Sequence, residues 1–193
     1  MIYKSEELIE KLSLVNWNTA LRTFGNNHDG LIGLLIDWWI RLSPTEHFAL
    51  TKLGRTKRTE GLGYCDAVFG AKDSAVGILE VEGNRYEHCL NKIESFFKMK
   101  EPNLMSSEFA ILLVYDSVGY GIPPFDEIIS KSKEVSKSCP NKSIAIISIE
   151  KEYEKIKDGI RGWSIWFWGT PKMIRWSVVR EGRMFQERKF TGI

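Results

Sequence analysis

Two stretches of almost uninterrupted apolar residues constrain the fold of this 193-residue chain most strongly. Residues 109–115 are apolar at every position, and residues 143–149 are apolar apart from two serines. Such runs are typical of central strands that are covered on both faces of a sheet. A helical pattern precedes each run, at residues 85–99 and 125–136. This order predicts an α/β fold with a mixed central sheet flanked by helices.

The segments before residue 85 add N-terminal helices and three short strands. Apolar residues recur at helical spacing twice within residues 1–43, and shorter apolar runs bounded by turn residues follow. The connection at residues 70–74 is short enough for a hairpin between the second and third strands. The predicted helices and strands of this part are 5–14, 29–42, 47–53, 63–69 and 75–81.

The C-terminal part of the chain has a different pattern, rich in tryptophan and arginine. Turn sequences divide residues 160–193 into three short apolar segments, which predicts an antiparallel β meander outside the α/β core of residues 44–150. No repeat or low-complexity linker interrupts the chain, so we expect one domain over residues 1–193. The tryptophans of the meander either pack against the sheet, which is the commoner outcome, or stack on unpaired bases. They are Trp163, Trp166, Trp168 and Trp176.

Composition excludes several classes of protein. The longest apolar run, at residues 31–40, is interrupted by Asp37 and is half the ~20 residues that a membrane helix needs. The first 14 residues include three glutamates and no long apolar stretch, unlike a secretory signal. The three cysteines form no C-x-x-C pair, so neither a disulfide framework nor a structural zinc site is indicated. We therefore expect a cytoplasmic protein without membrane contact.

Positive charge is concentrated in two segments although the net charge is only +2. One segment contains Lys52, Arg55, Lys57 and Arg58, and the other, residues 161–189, holds seven basic residues against two acidic ones. The rest of the chain is acidic. Two such segments suit a face that binds a polyanion, and the alternative is two solvated surfaces.

Three acidic residues lie in or beside apolar strands. The period of two along a strand places Val76, Ile78, Glu80 and Glu82 on one face. Asp66 joins them if the hairpin pairs positions with an even sum, for example Asp66 opposite Glu80. The alternative is that the strand end carrying the two glutamates simply reaches water. Three converging carboxylates would suit Mg²⁺, which binds preferentially to oxygen donors. A Mg²⁺ ion at this position would support phosphodiester hydrolysis.

At this point the residues resemble the PD-(D/E)XK nuclease superfamily, over roughly residues 44–115. Its core runs helix, three strands, helix, strand, with an Asp starting the second core strand and a (D/E)-x-K motif on the third. Asp66 and Glu80-Val81-Glu82 match these positions. The resemblance implies a restriction endonuclease-like core, with Mg²⁺ (or Mn²⁺) held by Asp66, Glu80 and the backbone carbonyl of Val81. Glu82 would act as a ligand or as the base that orients water.

The motif departs from the family pattern at two positions. Cys65 stands where proline precedes the Asp, and Glu82 stands where the family has lysine. Some restriction endonucleases carry E-x-E, and other members supply a lysine from the neighbouring helix. Lys92 is the candidate for that lysine, and the alternative is a solvated side chain. Accessory roles are expected for Glu46, Asn84 and His88, each of which has a surface position as its alternative.

The resemblance and the charge distribution together predict a Mg²⁺-dependent DNA endonuclease. The cations expected to contact DNA are Lys52, Arg55, Lys57, Arg58, Arg175 and Arg180. A homodimer would suit the cutting of both strands. The alternative function is a nuclease-like module that has lost catalysis and binds nucleic acid or mediates assembly. A hydrolase of small phosphoesters is disfavoured, because a nucleotide-sized substrate does not require two separate cationic segments.

Overall fold

The computed structural model of the protein describes residues 5–24, 27–51, 65–83, 85–99, 104, 107–115, 124–152, 155–157, 164–166 and 170–191. Two groups of predicted site residues lie outside this part of the chain. They are the basic segment, with Lys52, Arg55, Lys57 and Arg58, and the accessory candidate Asn84.

The described residues form an α/β fold around a seven-stranded mixed sheet. The strands are β1 (His47–Thr51), β2 (Ala67–Ala71), β3 (Ser74–Glu82), β4 (Phe109–Tyr115), β5 (Ser143–Glu152), β6 (Lys155–Lys157), β7 (Ser164–Trp166), β8 (Thr170–Arg180) and β9 (Arg183–Thr191). The sheet order is β1-β2-β3-β4-β5-β8-β9, and β6 and β7 form a separate pair. Strands β3, β4 and β5 are parallel, and the other neighbours are antiparallel.

Helices cover both faces of the sheet. They are α1 (Ser5–Ser13), α2 (Trp17–Phe24), α3 (His28–Leu42), α4 (Tyr86–Phe97) and α5 (Phe125–Ser136). Helices α1 to α3 pack on one face and bury one apolar core, while α4 and α5 pack on the other face around a second core. Helix α2 is absent from the sequence prediction, which places only two helices in this region.

Trp39 anchors α3 to the sheet. Its indole Nε1 donates to the backbone carbonyls of Phe48 in β1 and Gly70 in β2, at 3.0 Å each. At the start of the helix, the Asn27 side chain accepts a 2.8 Å hydrogen bond from the Gly30 amide and acts as the N-cap. The Trp39 contacts fix the C-terminal half of α3 on β1 and β2, and the N-cap sets the start of the helix at His28.

The predicted central strands are confirmed. Every residue of β4 is buried, and residues 143–149 of β5 are buried as well. Helices α4 and α5 connect the three parallel strands β3, β4 and β5. The carboxyl ends of these strands therefore meet at one edge of the sheet, where α/β proteins commonly place their ligand sites.

The C-terminal strands differ from the predicted meander. Strand β8 pairs with β5 along its whole length, so the hairpin of β8 and β9 extends the central sheet. Strand β7 pairs with β6, and no pairing of β7 with β8 occurs among the described strands. The β8–β9 turn at Glu181 and Gly182 has φ values of 52° and 73°, as a two-residue hairpin turn requires. Trp176 is buried in the core, as expected for most indoles in a sheet.

None of the described helices has the length and apolar character needed to cross a membrane.

Candidate functional site

The pairing of β2 with β3 places Asp66 beside the two glutamates. Ala67 lies opposite Leu79, which is a pairing of even sum, and the Asp66 amide donates to the Leu79 carbonyl at 3.0 Å. The Asp66 carboxylate accepts a 2.7 Å hydrogen bond from the amide of Val81, between Glu80 and Glu82. The register expected from the sequence is confirmed over Ala67–Phe69.

One detail of the hairpin differs from the prediction. The register of β2 against β3 shifts by one residue between Phe69 and Gly70. Val76 consequently packs against the core under α1 to α3, whereas Ile78 is buried in the core under α4 and α5. The prediction that Val76 shares a face with Glu80 is therefore wrong. The extra residue at the bulge reverses the face to which the side chains before it point.

Lys92 of α4 reaches the same place. Its Nζ donates to Oε2 of Glu80 and lies 3.2 Å from Oε1 of Glu82. The exposed fractions of the side chains are 13% for Asp66, 9% for Glu80, 15% for Glu82 and 19% for Lys92. We call these four residues the carboxylate–lysine cluster. The alternative of a solvated Lys92 is excluded in this structure.

Helix geometry explains how Lys92 reaches the cluster. Apolar spacing in the sequence predicts that α4 packs through one stripe, formed by Tyr86, Leu90, Ile93 and Phe97. The structure also buries Cys89 and Phe96. Including them rotates the buried face toward Lys92, which then lies roughly 90° from its centre at ~100° per residue. Lys92 therefore lies at the margin of the packed face, and its long stem can extend to the carboxylates at the strand ends.

Burial and charge act against each other in the cluster. Burial raises the pKa of Glu80 to about 8, and the charges of Asp66 and Glu82 add to that, although the nearby ammonium of Lys92 lowers it. Burial lowers the pKa of Lys92, but the carboxylates, Glu80 first, outweigh it and hold that pKa above its usual value. The cluster thus favours a bound cation, which Lys92 supplies.

Two buried cysteines lie near the cluster and carry no reactive thiolate. Burial, with the charge of Glu80 next, raises the pKa of Cys65 to about 12. Burial, with the charge of Glu82 next, raises the pKa of Cys89 to about 12. Because the thiolate is the nucleophile and the metal ligand, both cysteines act as apolar packing residues at neutral pH.

Two further side chains, His28 and Tyr115, reach this edge of the sheet. His28, at the start of α3, has Nε2 at 3.5 Å from Oδ1 of Asp66. Tyr115 ends β4 and forms a hydrogen bond with the backbone of His28; burial first, then the charge of Glu82, raises its pKa. Sequence reasoning missed both residues. The position of Tyr115 at the carboxyl end of a parallel strand is a usable signal, whereas nothing local marks His28.

Two of the three expected accessory residues are described, and they differ in location. His88 has Nδ1 at 3.9 Å from Oε2 of Glu82, so it lies beside the cluster with an exposed ring. Glu46 lies at the opposite end of the hairpin, where its carbonyl accepts a hydrogen bond from Lys72 in the β2–β3 turn. The structure does not bring Glu46 to the cluster.

Of the two expected C-terminal arginines, Arg175 lies in the middle of β8 and Arg180 lies at its end. Arg175 is on the row that runs from Glu82 through β4 and β5, roughly 14 Å away at the usual strand spacing. Its guanidinium contacts Asp126 at 2.7 Å and Glu187 at 2.6 Å. Arg180 pairs with Ser143 at the other end of the sheet, beside Glu181 at 3.5 Å. A DNA contact by either arginine stays a prediction.

The donors of the cluster suit a hard divalent cation. Asp66 and Glu80 offer carboxylate oxygens, and the Val81 carbonyl points to the same side of β3 as the Val81 amide that contacts Asp66. Mg²⁺ and Mn²⁺ favour such oxygens. No group of three or more His, Cys, Asp or Glu side chains in the described chain is arranged for a metal ion, and the ammonium of Lys92 lies between the glutamates instead.

Among known protein families, curated proteins and solved structures, no match to the chain is found.

Proposed function

We propose that the protein is a divalent-metal-dependent nuclease with a restriction endonuclease-like core that hydrolyses phosphodiester bonds in DNA. The convergence of Asp66, Glu80, Glu82 and Lys92 at one edge of the sheet carries this proposal. Three largely buried carboxylates in one place are costly unless a cation is bound there. A site of this kind is suited to divalent-ion chemistry.

Each residue of the cluster has a role in this proposal. Asp66, Glu80 and the carbonyl of Val81 would hold Mg²⁺ or Mn²⁺. Such an ion polarises a phosphoryl oxygen and lowers the pKa of an attacking water. Glu82 accepts a hydrogen bond from that water and orients it. Lys92 donates to the phosphate or to the water once its ammonium leaves Glu80 and Glu82.

DNA is the proposed substrate because a basic segment directly follows β1 in the sequence, and β1 ends close to Asp66. Thr51 pairs with Ala67, one residue from Asp66, and the segment with Lys52, Arg55, Lys57 and Arg58 follows Thr51 directly. Cations at this point would contact phosphates on either side of the scissile bond. A small phosphoester would leave these cations unused.

Cleavage assays on single-stranded, duplex and branched DNA test the proposal. We expect cleavage with MgCl₂ or MnCl₂, none with EDTA, and a loss of at least 100-fold in Asp66→Asn and Glu80→Gln. Glu94→Gln is the matched control, because Glu94 lies on α4 and pairs with Lys98 and Lys131 away from the cluster. Absence of cleavage of all three substrates with both metals contradicts the proposal.

A second candidate function is a nuclease-like module that binds nucleic acid without cutting it. The contacts of Lys92 with both Glu80 and Glu82 favour it, because the protein's own cation already occupies the site. DNA binding that persists in EDTA and in Asp66→Asn, with no strand breakage by the wild-type protein, would identify this function.

A further inference from the structure

We propose that the ammonium of Lys92 competes with the divalent ion for the carboxylate–lysine cluster. The ion must displace this ammonium from Glu80 and Glu82 in order to bind. This inference rests on the proposed metal dependence and extends it to the metal-free state of the same site.

The contacts of Lys92 carry the first step of the argument. Its Nζ donates to Oε2 of Glu80 and lies 3.2 Å from Oε1 of Glu82. The ammonium therefore occupies Glu80, a carboxylate that the divalent ion would need, and Glu82, which would orient the attacking water. The lysine ammonium is a compact charge on a flexible four-carbon chain, so it can leave the carboxylates without any movement of α4.

Electrostatics carries the second step. Asp66, Glu80 and Glu82 lie together with little exposure to water, and like charges so placed repel one another. One lysine provides a single positive charge for the three acidic side chains, whereas a divalent ion provides two and favours the ionised form of Glu80. The exchange is therefore favourable in charge but opposed by the loss of the Lys92 contacts. Apparent metal affinity is the difference between these two effects.

Three roles for Lys92 predict different responses of metal affinity to its removal. If Lys92 competes with the metal ion, removal of its ammonium should make the metal bind more tightly. A residue that only stabilises the fold predicts unchanged or weaker binding, because its loss leaves buried carboxylates uncompensated and loosens the site. A residue that only orients water predicts slower cleavage with no change in metal affinity in the absence of DNA.

Calorimetric titration of the full chain with MgCl₂ alone, without DNA, separates these roles. We expect Lys92→Met to bind Mg²⁺ at least tenfold more tightly than wild type. Lys98→Met is the matched control, since Lys98 lies next to the same helix, is exposed and pairs with Glu94; its Mg²⁺ affinity is expected to remain unchanged. Equal or weaker binding by Lys92→Met overturns the inference, and so does absence of binding by both proteins.

A measurement on the wild-type protein covers the case in which Lys92→Met does not fold. The side-chain ammonium resonance of Lys92, followed by NMR during an MgCl₂ titration, is expected to shift as the metal binds, while that of Lys98 stays constant. A Lys92 resonance that is unchanged at metal saturation overturns the inference. Cleavage assays keep the two proposals apart. Displacement without cleavage contradicts only the nuclease function, and cleavage without displacement contradicts only the competitor role.

Discussion

The amide of Val81 donates a 2.7 Å hydrogen bond to Oδ2 of Asp66, fifteen residues earlier in the chain. This bond ties the aspartate carboxylate to the backbone of the strand that carries Glu80 and Glu82. It leaves the other carboxylate oxygen, Oδ1, on the side of His28. Asp66 is thus oriented by a backbone group, and its direction is independent of the rotamers of its acidic neighbours.

Substitutions of Asp66 separate its structural bond from its proposed chemistry. Asp66→Asn keeps an oxygen that accepts from Val81, so we expect a change in the free energy of unfolding of less than about 1 kcal/mol. Asp66→Ala loses the acceptor and should cost about 1–2 kcal/mol. Both variants should lose at least 100-fold in cleavage rate. Urea unfolding and cleavage rates measure the two effects, and wild-type cleavage by Asp66→Asn would rule out its metal role.

The raised pKa of Glu80 gives stability a defined dependence on pH. Burial raises this pKa from 4.5 to about 8, so the folded protein holds a proton that the unfolded chain releases between these values. The contribution of Glu80 is complete below pH 4.5 and is lost as pH rises through about 8. We expect the free energy of unfolding, measured in EDTA by urea titration, to fall over this range. The free energy of unfolding of Glu80→Gln should fall less steeply with pH. Equal slopes for the variant and the wild type would contradict the raised pKa of Glu80.

Trp39 is predicted to be a major contributor to stability. Its Nε1 donates to two backbone carbonyls, and its ring stacks on His47 with centroids 4.0 Å apart. Trp39→Phe keeps an aromatic ring but removes both hydrogen bonds, which should cost about 2–3 kcal/mol in unfolding free energy. The described residues place no acceptor at Nε1 of the neighbouring Trp38, so Trp38→Phe is the control with a smaller effect. Similar losses in both variants would contradict the anchoring role of Trp39.

Arg175 is predicted to act mainly as a clamp between α5 and the last two strands. It contacts Asp126 and Glu187, and its guanidinium lies 4.3 Å from the centre of the Phe125 ring. Arg175→Met should lower the unfolding free energy by about 1 kcal/mol or less, because these pairs are partly exposed. DNA affinity should change less than it does in a Lys52→Ala/Arg55→Ala variant, since carboxylates already neutralise Arg175. Fluorescence anisotropy with labelled DNA measures this difference.

Local pattern was sufficient to predict the strands that are buried on both faces and the faces of Glu80 and Glu82. Continuous apolar character marked β4 and β5, and the even register placed Asp66 with the glutamates. Both properties depend on residues close in sequence. The sequence leaves the approach of Lys92 as one of two alternatives, because Cys89 and Phe96, which the structure buries, fall outside the predicted apolar stripe of α4.

Contacts between segments that are distant in the sequence cannot be predicted from local patterns of residues. His28 reaches Asp66 because Trp39 anchors α3 on β1 and β2, and no local pattern encodes that docking. Arg180 and Glu46 lie far from the cluster because strand direction and register, which the sequence pattern leaves open, set the end of the sheet at which each residue emerges. The pairing of β8 with β5 is a long-range choice of the same kind.

The register shift between β2 and β3 has a consequence for insertions and deletions. At the hairpin turn the paired positions, such as Ala71 with Ser74, have an odd sum, and beyond the shift, from Phe69 with Gly77 onward, the sum is even. If the odd pairing continued, Asp66 would lie opposite Leu79 and project through the other side of the sheet. Removing the single surplus residue of this hairpin would therefore dismantle the site while leaving all of its acidic side chains in the sequence.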